Sequence, residues 1–297
     1  MPMIRNLAAI VGALTATAVQ AAPATVGDYM AQARIPPDIQ IAYGPGSAQV
    51  VDLFLPKGRG PHPVVVLIHG GCFLARFEGL AQTSGIAADL ARRGYAVWNM
   101  EYRKLGEPGA GYPGTFQDVA AAIDRIRVEA PRYRLDPRRV IAVGHSAGGH
   151  LALWAASRGR LPANSPLRTG NPLKISAVVA LAGLGDLKGQ GRAFALPCGD
   201  DTLERLIDIS GRTDPYADTS PAELLPTGAR VLMIHGAYDH VLPPYIGRDY
   251  ALLARAAGDP AEAIMLPDAG HFDVVIPTTA AWKAVVKTLA REMARLR

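Results

Sequence analysis

Short runs of aliphatic and β-branched residues alternate along the chain with longer stretches in which apolar positions recur every three or four residues. The short runs at 50–55, 64–68, 95–99, 140–143, 175–181, 230–234 and 263–266 read as strands, the first of them antiparallel to its neighbours. The longer stretches at 81–93, 113–130, 150–157, within 244–257 and at 279–295 read as helices. In 113–130 the apolar stripe is Phe116, Val119, Ala120, Ile123 and Ile126, behind a Pro-Gly-Thr opening. Strands that are apolar on both faces and separated by helices imply an α/β fold, with a mostly parallel central sheet covered on both sides. The alternation fills residues 45–297 without a second core, and it breaks at 183–229, which is too long for a passive turn and reads as a small cap-like insertion.

Composition narrows the field. The chain has 297 residues, 49% of them hydrophobic and 19% charged, which supports one large folded domain and excludes a disordered or repetitive chain. The formal charge of +5 is spread among interleaved acidic and basic residues, and the arginine-rich stretches 132–139 and 291–297 carry no interleaved aromatic platform, so no nucleic-acid partner is expected. Residues 1–21 read as a signal peptide: one Arg, an uncharged apolar run at 7–19 too short to span a bilayer, and small residues at the cleavage positions of Val19-Gln20-Ala21. The mature domain is then 22–297, periplasmic or secreted, with no stable membrane insertion and an oligomeric state that the sequence leaves open. Cys72 and Cys198 are too few for a disulfide framework, and unpaired thiols are the default reading. The alternative is a tether, if both overhang one edge of the sheet.

The chemistry gathers where strands end. Gly144-His145-Ser146-Ala147-Gly148 lies between the strand at 140–143 and a helix, the context in which G-x-S-x-G turns a serine hydroxyl up at a helix N-terminus. Ser146 is the candidate nucleophile.

From about 50 to 290 the chain resembles the α/β-hydrolase superfamily, especially small carboxylesterases of the hormone-sensitive-lipase and kynurenine-formamidase type and the catalytic domains of prolyl-oligopeptidase-like enzymes. In those families a His-Gly-Gly motif after an early strand supplies the oxyanion hole. Here His69-Gly70-Gly71-Cys72-Phe73 follows the strand at 64–68, with Cys72 where Gly or an aromatic is usual. The resemblance assigns donation to the backbone N–H groups of Gly71, Cys72 and Ala147, with Gly70 allowing close approach. The same families place an acid and then a histidine after later strands, which selects Asp239 and His271 as the partners of Ser146. Asp268 and Asp186 are the other acids after strands, and Asp186 reads as an anchor of the insertion.

The remaining polar residues take quieter roles. His69 holds the oxyanion loop, His145 lines the pocket, and Tyr102-Arg103 fixes neighbouring loops. Glu101 and Asp118 are not drawn together as paired carboxylates. His235, Asp239 and His240 are too few ligands for a metal, and neither metal nor cofactor is implied.

The expected function is an exported serine hydrolase that cleaves esters of small substrates through an acyl-enzyme. The insertion and the loop 104–114 are expected to roof a pocket for a short or aromatic acyl group. Three alternatives stand beside it: a prolyl-oligopeptidase-like peptidase or amidase, an arylformamidase, and a catalytically silent binding protein on a hydrolase scaffold.

Overall fold

In the computed structural model, which describes residues 22–296, the apolar runs form one eight-stranded sheet in the order β1-β2-β4-β3-β5-β6-β7-β8. The strands are β1 (Ile39–Ala42), β2 (Val50–Phe54), β3 (His62–Ile68), β4 (Ala96–Met100), β5 (Leu135–His145), β6 (Ala177–Leu181), β7 (Arg230–Gly236) and β8 (Ala261–Leu266). β2 runs antiparallel to β1 and β4, and from β4 to β8 every pairing is parallel.

Successive side chains of β3 explain why the run is apolar throughout. Val64, Val66 and Ile68 join the core beneath α3 (Gly114–Tyr133) and α4 (Ala147–Ser157), whereas Val65 and Leu67 join the one beneath α2 (Ser84–Arg92) and α8 (Ala280–Ala294). The predicted stripe of α3 is fully laid into the first core: Phe116, Val119, Ala120, Ile123 and Ile126 are all buried. On the opposite face the Trp282 indole N–H of α8 donates to Asp89 Oδ2 of α2 at 2.8 Å, locking the two helices together.

Three features depart from the sequence reading. β5 begins at Leu135, ahead of the apolar run at 140–143, because its first residues pair with the start of β3 before a register shift at Pro63/Val64. Residues 22–44 carry structure too: α1 (Val26–Met30) and the edge strand β1 precede β2. The insertion after β6 holds two helices that the sequence reading does not place, α5 (Leu187–Cys198) and α6 (Thr202–Ile207), whereas α7 (Tyr245–Ala256) follows β7 within the predicted 244–257. Asp186 is the N-cap of α5, accepting from the Gly189 N–H at 2.8 Å, which is the anchoring role expected of it.

Candidate active site

Ser146 stands between β5 and α4 with φ 52° and ψ −119°, a left-handed conformation costly for a residue with a Cβ. Packing holds it there. A Cβ on Gly144 would lie 2.0 Å from Gly148 O, and one on Gly148 would lie 2.2 Å from Ile68 O, so neither glycine can gain a side chain while the turn stays closed. The Ser146 N–H donates to Leu181 O of β6 at 2.8 Å, tying the turn to the sheet.

The other two candidates meet across the same sheet edge. His271 Nδ1 lies 2.9 Å from Asp239 Oδ2, and Asp239 Oδ1 accepts the N–H groups of Val241 at 2.9 Å and Leu242 at 2.8 Å. Burial pushes the Asp239 carboxyl up, but the His271 hydrogen bond and charge, with the Leu242 N–H, hold it below the usual carboxylate range. With Asp239 accepting at Nδ1, the His271 Nε2 lone pair is left for a second partner. Ser146 and His271 line a single cavity of about 340 Å³.

His145 does more than line that cavity. Its Nε2 lies 3.0 Å from His271 O, and since a carbonyl only accepts, this nitrogen carries the hydrogen and braces the His271 loop. Burial, and then the neighbouring His271 ring, hold His145 down at about 3, so the ring is neutral.

The loop after β3 is braced just as firmly. His69 places Nδ1 2.7 Å from Gly70 O and Nε2 2.7 Å from Glu101 Oε1, while its own carbonyl accepts from Tyr102 Oη at 3.1 Å. Lys104 Nζ lies 3.2 Å from the other Glu101 oxygen. Burial raises the Glu101 carboxyl, and His69 and Lys104 override it, holding it at about 2. Asp118 instead takes the Arg103 guanidinium at 2.7 and 2.8 Å, so the two acids are separate loop braces, as expected. Gly71, Cys72 and Phe73 follow with φ of 101°, 54° and 59°. A Cβ on Gly70 would sit 3.0 Å from His145 O and 3.1 Å from the Ser146 Cβ, so the loop touches the serine turn only because Gly70 is bare. Among the described residues, no backbone or side-chain acceptor takes the N–H of Gly71 or Cys72.

The default reading of two free thiols is corrected. α5 ends over the loop after β3 and brings Cys198 to a Cα separation of 5.4 Å from Cys72, where the two form a disulfide across 126 residues of sequence. The roof also differs from expectation. Loop 104–114 bridges to Leu74 through Leu105 and packs Gly111 against Arg205 O of α6, away from the cavity. The insertion contributes Pro197, and the segment ahead of β1, unassigned by sequence reasoning, contributes Val26, Tyr29 and Met30. His235 is buried beside α7, held down at about 4 by burial, and the described residues contain no cluster of three or more His, Cys, Asp or Glu side chains able to hold a metal.

The BD-FAE family model matches residues 51–250, from β2 into α7. The chain belongs to the BD-FAE family. This BD-FAE chain is 25% identical over 251 residues to an isoprenylcysteine alpha-carbonyl methylesterase of Arabidopsis thaliana, covering 80% of this chain and 56% of the relative. It is 27% identical over 261 residues to a probable carboxylic ester hydrolase of Mycobacterium tuberculosis, covering 84% and 59%. The chain thus spans a little over half the length of the curated relatives it matches. Among solved structures, esterase B from Lactobacillus Rhamnosis superposes with a TM-score of 0.73 at 22% identity, over 91% of this chain and 90% of that one. That esterase has also been captured with a tributyrin phosphonate inhibitor. The BD-FAE chain therefore has the α/β-hydrolase fold expected from its sequence.

Proposed function

We propose that the protein is an exported serine esterase acting on carboxylic esters of small molecules. The observation that carries this reading is the convergence of Ser146, on a strained turn, with the His271–Asp239 pair on one cavity. Ser146 Oγ attacks the acyl carbon as His271 Nε2 takes its proton, and Asp239 holds the imidazole in the required tautomer. The oxyanion forms against the N–H groups of Gly71, Cys72 and Ala147, each such donor being worth about 3–4 kcal/mol. His271 then returns the proton to the leaving alkoxide and activates a water to free the acid. The naming of the relatives as ester hydrolases favours esters over amides.

A cavity of about 340 Å³ walled by Tyr29, Phe77 and Phe272 suits a short or aromatic acyl group. Export rests on the leader at 1–21, which lies outside the described residues, and is supported by the Cys72–Cys198 disulfide, a bond that persists in oxidising compartments. Among the described residues no helix is long and apolar enough to cross a membrane.

The test is the initial rate of the mature protein and its Ser146→Ala variant on p-nitrophenyl esters from acetate to palmitate. Activity is expected on short esters, with kcat falling roughly 10⁴-fold or more in the variant. Near-normal turnover by Ser146→Ala would sink the reading.

A further inference from the structure

The stretches that lead into the parallel strands β3, β5 and β6 lie at the end of the sheet opposite Ser146, and they are basic. Segments 56–62, 124–139 and 158–174 hold twelve Arg and Lys residues against three acids, a surplus of nine in a chain whose total is +5, so everything outside them sums to −4. The three acids are already taken. Asp124 is gripped by the buried Arg158 guanidinium, Glu129 by Arg125, and Asp136 by Arg138 and Arg139. Lys57, Arg59, Arg132, Arg134, Arg160 and Lys174 are exposed, and none has an acidic partner among the described residues.

The fold joins these stretches into one face. Arg134 Nη1 donates to Arg59 O at 3.2 Å, and the two Nη atoms of Arg127 donate to Asn171 O at 2.9 Å and Pro172 O at 3.0 Å. Arg59, Arg127 and Arg134 border a single open hollow of about 510 Å³. On α3, between Arg125 and Arg132 of the same helix face, Val128 is left 65% exposed.

Shape and chemistry select the partner. A linear polyanion is held in a groove that tracks its backbone, whereas these charges surround an open hollow and form a face. A bilayer rich in anionic phosphate headgroups presents a plane, each Arg or Lys near it strengthens attachment about fivefold, and its headgroup layer accepts an apolar side chain such as Val128. We propose that this basic face docks the protein by charge on anionic phospholipid membranes. At roughly 3.3 Å per residue along β5, Ser146 lies about 30 Å from the docked face and opens toward the water. The inference does not depend on which residue is the nucleophile.

The experiment floats the mature protein, residues 22–297, with vesicles of phosphatidylcholine alone or holding about 30% phosphatidylglycerol, at about 50 and about 500 mM NaCl. Partition onto the anionic vesicles is expected at low salt, with a loss of tenfold or more at high salt and none onto phosphatidylcholine. Lys57→Gln, Arg59→Gln, Arg160→Gln and Lys174→Gln together should weaken it about a hundredfold or more, and Arg59→Gln with Lys174→Gln alone about twentyfold. Tm and the rate on p-nitrophenyl butyrate should stay at the wild-type level, because none of the four side chains makes a hydrogen bond or ion pair among the described residues. Lys188→Gln, Arg248→Gln, Lys283→Gln and Lys287→Gln together remove the same charge from exposed positions elsewhere and should cost less than about fivefold. No partition onto anionic vesicles at low salt, undiminished partition in the face variants, or an equal loss in the control variant overturns the proposal. Retention of polygalacturonate or single-stranded DNA by a protein that ignores the vesicles overturns it in favour of a linear polyanion.

Discussion

The two halves of the cavity wall are built on different terms. On one side Ser146, Asp239 and His271 sit on turns whose backbone groups bond directly into the sheet or to each other: the Ser146 N–H to Leu181 O, Asp239 to two neighbouring N–H groups, His271 O to His145. On the other side α1 is fastened by the Asp273 carboxylate, which accepts the Ala24 N–H, and α5 by the Cys72–Cys198 bond together with the buried Leu187 and Phe194. Leu196, near the end of α5, is left 81% exposed. The difference teaches where each property of the site is stored. Reacting atoms need positions held to fractions of an ångström, which the sheet supplies, whereas the rest of a cavity wall can be carried by segments attached to the sheet.

The sharpest way to test that division is to disturb the sheet-borne side without changing its shape. Asp239→Asn should lower kcat on p-nitrophenyl butyrate roughly 10³- to 10⁴-fold by favouring the wrong His271 tautomer. Asp268→Asn should keep most of the activity, and a collapse there would move the acid to the other candidate. Next in size is the hung wall. Cys198→Ser should cost about 3–5 kcal/mol in urea unfolding, because the bond closes a long loop in the unfolded chain, with a smaller effect on kcat than Asp239→Asn.

Acid should then act on the sheet-borne side first. Burial holds His145 at about 3 and His150 and His235 at about 4, all below the ordinary 6.5. The unfolded chain therefore takes up protons below pH 6.5 that the folded one refuses, and the stability these rings contribute above 6.5 is lost as pH falls toward 4 and below. Glu101, held at about 2 against 4.5, adds a loss below pH 4.5 in the same direction. Tm should decline steadily from pH 6.5 to 4 in a calorimetric series, and a flat profile would contradict the burial of these rings. The smallest effect is expected at the joint between the halves. Asp273→Ala should cost about 1–2 kcal/mol and raise KM more than it lowers kcat, as the segment ahead of β1 swings off the cavity.

The same division governs what could be read from the sequence. Strand ends are legible because a buried parallel strand announces itself as an apolar run, and whatever follows it must lie at the sheet edge. Gly144 to Gly148, Asp239 and His271 all follow such runs, and the order of acid and histidine in the resembled families singles out the last two. The segment 22–45 is illegible for the opposite reason. α1 has five residues and β1 four, too short for either period to stand out, and both are stabilised by residues far along the chain. No local pattern marks Tyr29 as a wall or Asp273 as its anchor. The loop 104–114 misled because its partners are equally remote: Leu105 meets Leu74 and Gly111 meets α6, which pulls it off the cavity. The disulfide hid behind the length of chain between its ends.

The bond between Ala24 and Asp273 also bears on biosynthesis. The residues that close the cavity are made 249 positions before the carboxylate that fastens them, and His145 waits 126 positions for the carbonyl it braces. A growing chain that has not yet reached residues 271–273 lacks both His271 and the fastening, however well its early strands have paired. On the proposed mechanism the site is therefore complete only once the late loop has been synthesised and docked.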